Sequence, residues 1–168
     1  ALDGKLRGFS RSDAAGRAAS ISKTYRGGGN SGTIRTEADA LAYALARMPA
    51  TYAAITASLN ALVEIRPDFA PVSLLDIGAG PGTATWAAAE ALSSLRDFTL
   101  ALDLARDSTR LREIGYERGE ARAALAKADT ADLVVASYMI NEIGDAEQRA
   151  LAELMWEKTR GTLLVVEP

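Results

Sequence analysis

The 168-residue sequence contains no cysteine and no histidine. Without cysteine, these residues can form no disulfide, no thiolate metal site and no Cys nucleophile. Without histidine, they lack Ser-His and Cys-His catalysis, the commonest general base and the commonest metal ligand. Any chemistry in this chain must therefore use Asp, Glu, Tyr, Lys, backbone groups or a bound cofactor, and no metal site is expected among these residues.

Long apolar runs are also missing. None approaches the roughly 20 residues that a membrane-spanning helix needs, and the N-terminal residues contain no apolar signal-peptide core. We therefore expect an intracellular protein without a membrane partner. Hydrophobic residues make up 48% of the chain and charged residues 24%, a balance that favours a folded globular domain over a disordered segment.

Charge is unevenly distributed along the chain. Residues 1–35 hold seven basic and two acidic side chains, a net charge of +5, so the remainder carries −8 of the overall −3. A basic arm on an acidic body indicates either a polyanionic partner or simply a solvated helix face, and charge alone does not separate these readings. If the partner is RNA, the contacts that we expect are Arg17, Lys23, Arg26 and Arg35.

Three segments can be distinguished before any motif is considered. Residues 1–35 read as a basic helical arm followed by a Gly-rich loop, in which Arg26-Gly-Gly-Gly-Asn-Ser-Gly32 interrupts regular structure. Residues 36–71 read as a helical extension that Thr36 caps and Pro49 breaks or kinks. Residues 72–168 read as an α/β domain.

In that domain, apolar strands alternate with helices, which predicts parallel βαβ units in a doubly wound sheet. The last apolar strand has no covering element, so we expect the protein to continue beyond Pro168 and to supply missing C-terminal strands. Asp145 opens the last helix in the pattern of a capping box. The expected strands are 72–77, 98–102, one near 121–127, 132–136 and 162–167, and the expected helices are 83–95, 107–115 and 145–159. Residues 116–130 are ambiguous, because the residues near 121–127 prefer helix.

The turn after the first strand reads Asp76-Ile-Gly78-Ala-Gly80-Pro-Gly82-Thr83. A dinucleotide fingerprint places glycines at the first, third and sixth positions, whereas the third glycine here comes one residue early. The loop also lacks the Gly-Lys-Ser/Thr ending of a P-loop. Nicotinamide, flavin and nucleoside triphosphate ligands are therefore disfavoured.

An acidic residue followed by three alternate glycines after a strand resembles motif I of the Rossmann-like S-adenosylmethionine-dependent methyltransferases. The resemblance implies that cofactor, and the chemistry suits it. Glycines let the backbone approach the ligand without Cβ clashes, Asp76 offers a carboxylate to an ammonium and a sulfonium, and the helix start near Thr83 favours the ligand's carboxylate. The alternative for Asp76 is a turn-forming residue that hydrogen-bonds its own loop.

The second acidic motif of those enzymes accepts hydrogen bonds from both ribose hydroxyls, and Asp103 at the end of the second strand corresponds to it. Asp107 competes for this role but reads as a helix cap, and a solvated strand-end acid is the alternative for Asp103. The cofactor contacts that we expect are Asp76, Gly78, Ala79, Gly80, Gly82, Asp103 and Ser137.

Five segments along nearly the whole chain resemble, in order, the methyltransferase-like family of the small ribosomal subunit, found in bacteria and mitochondria. This resemblance implies binding to small-subunit ribosomal RNA, a role in ribosome maturation and translation, and a location in the bacterial cytoplasm or the mitochondrial matrix. Members also carry a cysteine cluster for an iron–sulfur centre, which would lie beyond Pro168. The segments are 25–32, 41–54, 74–87, 131–143 and 163–168.

Catalysis is less clearly indicated than cofactor binding. Amino-methylating enzymes place Asp/Asn-Pro-Pro-Tyr after the fourth strand, whereas this chain has Ser137-Tyr-Met-Ile-Asn-Glu142. Tyr138 could stack on a base, Asn141 could hydrogen-bond one and Glu142 could act as a base, but Tyr138 could equally be a core residue and Glu142 the start of a helix. Three hypotheses stay open: a ribosomal RNA methyltransferase, a non-catalytic RNA-binding assembly factor, and a small-molecule methyltransferase.

Overall fold

The computed structural model describes residues 16–20, 23, 36–92, 97–100, 114–116 and 119–168. It separates the chain into two units, residues 1–50 and 51–168. The predictions for Arg26, Arg35 and Asp103, the Gly-rich loop and most of the helix expected from Asp107 lie outside the described residues. The division of the sequence after residues 35 and 71 stays a prediction.

In the first unit, helix α1 spans Glu37–Ala46 and begins as the sequence predicts. The Thr36 hydroxyl accepts a hydrogen bond from the Asp39 N–H at 3.2 Å, and the Asp39 carboxylate accepts one from the Thr36 N–H at 3.0 Å. This reciprocal pair satisfies two donors that a helix start would otherwise leave open. Residues 16–20 are also helical.

Helix α2 spans Met48–Ile65, directly after the end of α1. Pro49 lies in the first turn of α2, where its missing N–H removes no intrahelical hydrogen bond. The predicted break at this proline is confirmed, because α1 ends at Ala46 and α2 begins at Met48. The spacing of Thr51, Ile55 and Leu59 places all three on one face, and all three are buried.

The second unit is built on five parallel strands in the order β3-β2-β1-β4-β5, which confirms the predicted α/β class with a parallel sheet. Strand order reverses between β1 and β4, and ligands of such sheets bind in the crevice outside the carboxyl ends at that point. The strands are β1 Ser73–Ile77, β2 Asp97–Leu100, β3 Ile114–Tyr116, β4 Ala131–Ser137 and β5 Thr159–Val166, and the helices are α3 Thr83–Ala91, α4 Ala121–Lys127 and α5 Asp145–Glu157.

Two local predictions were wrong. The segment 121–127 is a helix, and the third strand lies earlier, at Ile114–Tyr116. Residues 114 and 115, which were expected to end the helix from Asp107, therefore belong to a strand. The alanine-rich sequence favours the helix, and the Glu120 carboxylate caps it by accepting from the N–H groups of Arg122 and Ala123 at 2.9 and 3.0 Å. Asp145 does not cap α5 through a capping box, because Gly144 is the N-cap and contributes no side chain.

Apolar side chains cover both faces of the sheet, as a doubly wound fold requires. One cluster packs α2 and α3 against β1, β4 and β5, and the other packs α4 and α5 against the opposite face. Alternate strand residues divide between them, so that Leu74 belongs to the first cluster and Leu75 to the second. Among the described residues, no helix combines the length and apolarity needed to cross a membrane.

Candidate cofactor site at the carboxyl edge of the sheet

The predicted glycine-rich turn connects β1 to α3 and adopts a backbone that only glycine tolerates easily. Gly78, Gly80 and Gly82 all have positive φ values, 65°, 53° and 78°. The Gly82 N–H donates to the Ala79 carbonyl at 2.7 Å, which closes the turn, and Gly82 is the N-cap of α3. The loop therefore presents bare backbone at the switch point of the sheet.

The tightest of these positions is Gly78. A Cβ atom there would lie 3.0 Å from both the Cβ and the Cγ atom of Met139, in the turn that follows β4, whereas a Cβ at Gly80 would meet only the Gly78 carbonyl at 3.9 Å. The loops after β1 and β4 are thus in direct contact. Their proximity follows from the pairing of the two strands, in which Ile77 lies opposite Ala136.

Replacing these two glycines with alanine should separate backbone strain from steric conflict. We expect Gly80→Ala to lower the free energy of unfolding by about 1 kcal/mol, the cost of a left-handed non-glycine residue. Gly78→Ala should cost about 2 kcal/mol more, because the new methyl group also displaces Met139. Urea denaturation of both variants measures the difference. Equal losses would show that Met139 does not constrain Gly78.

Asp76, at the end of β1, is almost completely buried, with 2% of its surface exposed. Its Oδ2 atom accepts hydrogen bonds from the N–H and the hydroxyl of Thr85 in α3, at 3.1 and 2.7 Å. Its Oδ1 atom has no hydrogen-bond partner among the described residues. Burial raises the pKa of Asp76 to about 7, against the opposing effect of the two bonds from Thr85.

Asp132 provides a contrast at the opposite end of the sheet. Its carboxylate accepts from the Val72 N–H at 2.9 Å, from the N–H and hydroxyl of Ser73 at 3.1 Å each, and from the Arg160 guanidinium at 3.0 Å. Burial raises its pKa, but these bonds together hold it below its usual value. Asp132 is thus satisfied as a structural carboxylate, whereas one buried oxygen of Asp76 finds no partner in the part of the chain that the structure describes.

The turn after β4 holds the remaining predicted site residues. Ser137 and Tyr138 are half-buried, and Tyr138 has a left-handed backbone with φ 54°. A short 3-10 helix, Ile140–Glu142, follows, with Asn141 exposed and Glu142 half-buried. The structure therefore brings residues 137–142 and the glycine loop to one edge of the sheet.

Sequence reasoning did not identify three residues that shape this edge: Thr85, Met139 and Glu167. Thr85 binds Asp76, Met139 contacts the glycine loop, and Glu167 accepts hydrogen bonds from the N–H groups of Met139 and Ile140. The available signals were a polar residue on the buried side of an alanine-rich helix and an acidic residue at the end of an apolar strand. Neither signal specifies its partner.

The arm residues predicted to bind RNA are only partly described. The Arg17 guanidinium forms an ion pair with Asp39 at 2.8 Å, and its side chain is 39% exposed. Lys23 is exposed. No group of three or more potential metal-ligating side chains occurs within the described ranges.

Solved structures with a similar fold include methyltransferases. An O-methyltransferase family protein from Burkholderia thailandensis superposes with a TM-score of 0.60 at 15% identity, covering 76% of this chain and 41% of that protein. Human N-acetylserotonin methyltransferase, solved in complex with SAM, superposes with a TM-score of 0.58 at 15% identity, covering 96% of this chain and 50% of that protein. At this identity the likeness establishes the fold, a Rossmann-like class I methyltransferase fold.

Sequence comparison identifies the family. The human mitochondrial ribosome assembly protein METTL17 is 29% identical over 147 residues, which cover 79% of this chain and 32% of that protein. The chain thus matches about a third of the length of this relative. A family described as mitochondrial small ribosomal subunit Rsm22 matches residues 37–168, well over half of the chain. The protein therefore belongs to the Rsm22 family.

Proposed function

We propose that the protein binds S-adenosylmethionine and acts as a methyltransferase on small-subunit ribosomal RNA during ribosome assembly. The observation that carries the cofactor part is the buried Oδ1 atom of Asp76, which has no hydrogen-bond partner among the described residues and directly precedes a loop with three left-handed glycines. A buried carboxylate oxygen without a partner is costly, and a cationic ligand would offset that cost. The family relation and the name of the human relative support the ribosomal part.

The residues present fit this cofactor by their chemistry. Asp76 would accept from the ligand's ammonium group, and the loop backbone would approach the ligand where side chains would clash. The start of α3, nine residues long, would favour the ligand's carboxylate. Asp103 would accept from the ribose hydroxyls. The full set of proposed contacts is Asp76, Gly78, Ala79, Gly80, Gly82, Asp103 and Ser137.

S-adenosylmethionine, when bound, supplies an electrophilic methyl group on a sulfonium. The work left to the protein is to hold an acceptor in line with that group and to exclude water, which requires neither histidine nor cysteine. In this proposal Tyr138 stacks on the acceptor base, exposed Asn141 hydrogen-bonds it, and Glu142 accepts a proton. These three residues follow β4, beside the glycine loop.

Contact with RNA would come from the N-terminal arm by neutralisation of phosphates. Lys23 is exposed and suited to this role, whereas the guanidinium of Arg17 forms an ion pair with Asp39. Arg26 and Arg35 complete the proposed set. The site of action would be the mitochondrial matrix, in line with the family description and the human relative, or the cytoplasm for a bacterial ribosome. An iron–sulfur cluster could be held only by residues outside this cysteine-free sequence.

A non-catalytic assembly factor is the second candidate. It is favoured by the absence of the Asp/Asn-Pro-Pro-Tyr motif after β4 and by the name of the human relative, which describes an assembly protein. A small-molecule methyltransferase is the third candidate, since the solved structures described above include such an enzyme, but a shared fold does not specify a substrate.

Two measurements test these candidates. Isothermal titration with S-adenosylmethionine should show binding, and absence of heat with folded protein would refute the cofactor assignment. Transfer of a labelled methyl group to isolated small-subunit particles should then be observed. Cofactor binding without incorporation of label would favour the assembly factor, and incorporation only into small molecules would favour the third candidate.

A further inference from the structure

The carboxylate of Glu167, immediately after β5, holds the turn that follows β4. Its Oε1 atom accepts hydrogen bonds from the N–H groups of Met139 at 3.1 Å and Ile140 at 2.8 Å. Two successive backbone N–H groups that converge on one anion form a concave binding site of the kind called a nest. In this protein a side chain of the same chain occupies that nest.

The backbone that creates the nest is strained. Tyr138 has φ 54°, a left-handed conformation that residues other than glycine, asparagine and aspartate rarely adopt, and such a conformation persists only where surrounding contacts hold it. The Tyr138 N–H donates to the Val166 carbonyl at 2.9 Å. Three consecutive N–H groups, those of residues 138, 139 and 140, therefore donate to the Val166 carbonyl and the Glu167 carboxylate.

The turn in this conformation also supports the glycine loop. Met139 follows the strained residue, and its Cβ and Cγ atoms lie 3.0 Å from the place that a Gly78 Cβ would occupy. A change in the turn would therefore move Met139 relative to the loop proposed to hold the cofactor. The same change would move Tyr138 and Asn141, the residues proposed to face the acceptor.

Burying a carboxylate costs more hydration free energy than burying a neutral hydrogen-bond acceptor. The Oε2 atom of Glu167 is buried and has no hydrogen-bond partner among the described residues. A neutral side chain could accept from the same two N–H groups with a smaller loss of hydration. An ionised acceptor makes stronger bonds to N–H donors, which suits a turn that must be held against backbone strain.

We propose that Glu167 is a positioning residue of the methyl-transfer site. It fixes the turn 138–142 against the glycine loop, so that the cofactor loop and the acceptor-facing residues keep a common geometry. This inference rests on the proposed function, because it assigns the turn a role in binding the cofactor and the acceptor.

The test compares two variants that lack the acceptor, Glu167→Ala and Glu167→Met, with Glu167→Gln, which keeps one acceptor oxygen. Glu157→Ala, an exposed glutamate at the end of α5, is the matched control. We expect hydrogen exchange at the Met139 and Ile140 amides to become at least tenfold faster in the Ala and Met variants. The dissociation constant for S-adenosylmethionine should rise about tenfold in the same two variants.

The Gln variant should show both effects to a smaller extent, because its amide oxygen still accepts from the two N–H groups but binds them more weakly than a carboxylate does. The control should match wild type. Glu167→Met keeps the volume of the side chain, so it serves if Glu167→Ala fails to fold. Unchanged amide exchange in the Ala or Met variant would show that Glu167 does not hold the turn. Faster exchange with an unchanged dissociation constant would show that the turn does not serve the site, which overturns the positioning role.

Failure of the proposed function gives a different result. If wild-type protein binds no S-adenosylmethionine, the cofactor assignment and the positioning role fail together, before any variant is considered. If wild type binds and only the predictions for the Glu167 variants fail, the proposed function stands and the positioning role alone is rejected.

Discussion

Asp76→Asn is expected to weaken binding of S-adenosylmethionine about a hundredfold while leaving the protein folded. The substitution keeps the shape of the side chain, and an asparagine oxygen can still accept the two hydrogen bonds that Thr85 donates. It replaces the unpartnered Oδ1 atom with an NH₂ group, which repels an ammonium instead of accepting from it. Loss of one charge-assisted hydrogen bond of about 2–3 kcal/mol corresponds to roughly a hundredfold change in affinity.

The measurement is isothermal titration at pH 8, where the wild-type carboxyl group, with its pKa of about 7, is mostly ionised. Asp129→Asn is the matched control, because the same chemical change there falls on an exposed residue in the loop before β4. We expect the control to bind as wild type does. If the Asp76→Asn variant binds the cofactor as tightly as wild type, the role of Asp76 is only structural. It would then hold the start of α3 through its two hydrogen bonds from Thr85.

The parallel α/β fold and the location of the glycine-rich loop could be predicted from the sequence because each has a strong local signal. The run Ser73–Ile77 is apolar apart from Ser73 and Asp76, as expected for a strand covered on both faces, and three alternate glycines follow it. Three left-handed residues within five positions leave glycine as the only easy choice. For this reason the glycine spacing alone already indicated a backbone-lined ligand site.

The third strand was misplaced for a physical reason. Ile114–Tyr116 has only three residues, too few to show the alternation by which a strand is recognised. The neighbouring segment 121–127 was assigned to a strand because the βαβ alternation requires one in this part of the chain, although its alanines favour a helix. Local propensity was the better guide here.

The side-chain partners at the site could not be predicted, because they depend on contacts between distant parts of the chain. Glu167 reaches residues 139 and 140 only because β4 and β5 pair in a register that places Ser137 beside Val166. Asp76 and Asp132 are both strand aspartates, and the sequence does not show which of them has both carboxylate oxygens hydrogen-bonded. Both oxygens of Asp132 accept hydrogen bonds from described residues, whereas the Oδ1 atom of Asp76 accepts none from them, and this difference is a property of their surroundings.

The raised pKa of Asp76 also predicts how the stability of the protein depends on pH. The expected dependence is opposite in sign to that of an ordinary paired carboxylate, whose pKa is lowered on folding. Its pKa rises from 3.8 to about 7 on folding, so the folded protein holds more protons than the unfolded chain between these pH values. The contribution of Asp76 to stability is therefore full below pH 4 and is lost as the pH rises to about 7. A shift of about three units corresponds to a loss on the order of 4 kcal/mol.

Other groups also titrate over this range, and Asp132, whose pKa is lowered, contributes with the opposite sign. The difference in free energy of unfolding between Asp76→Asn and wild type isolates the contribution that ionisation of Asp76 makes to stability. We expect the free energy of unfolding of the variant to rise relative to that of wild type by a few kcal/mol between pH 4.5 and pH 8, as measured by urea denaturation. A difference that does not change with pH would contradict the raised pKa.

The same ionisation should control the cofactor. Binding of an ammonium requires the charged form of Asp76, and a pKa of about 7 makes that form roughly ten times scarcer at pH 6 than at pH 8. The affinity of wild-type protein for S-adenosylmethionine should therefore rise about tenfold over that interval, and this dependence should disappear in Asp76→Asn. Stability and affinity would then change in opposite directions with pH, which is expected if the protein keeps an unsatisfied carboxylate in its interior for a cationic ligand.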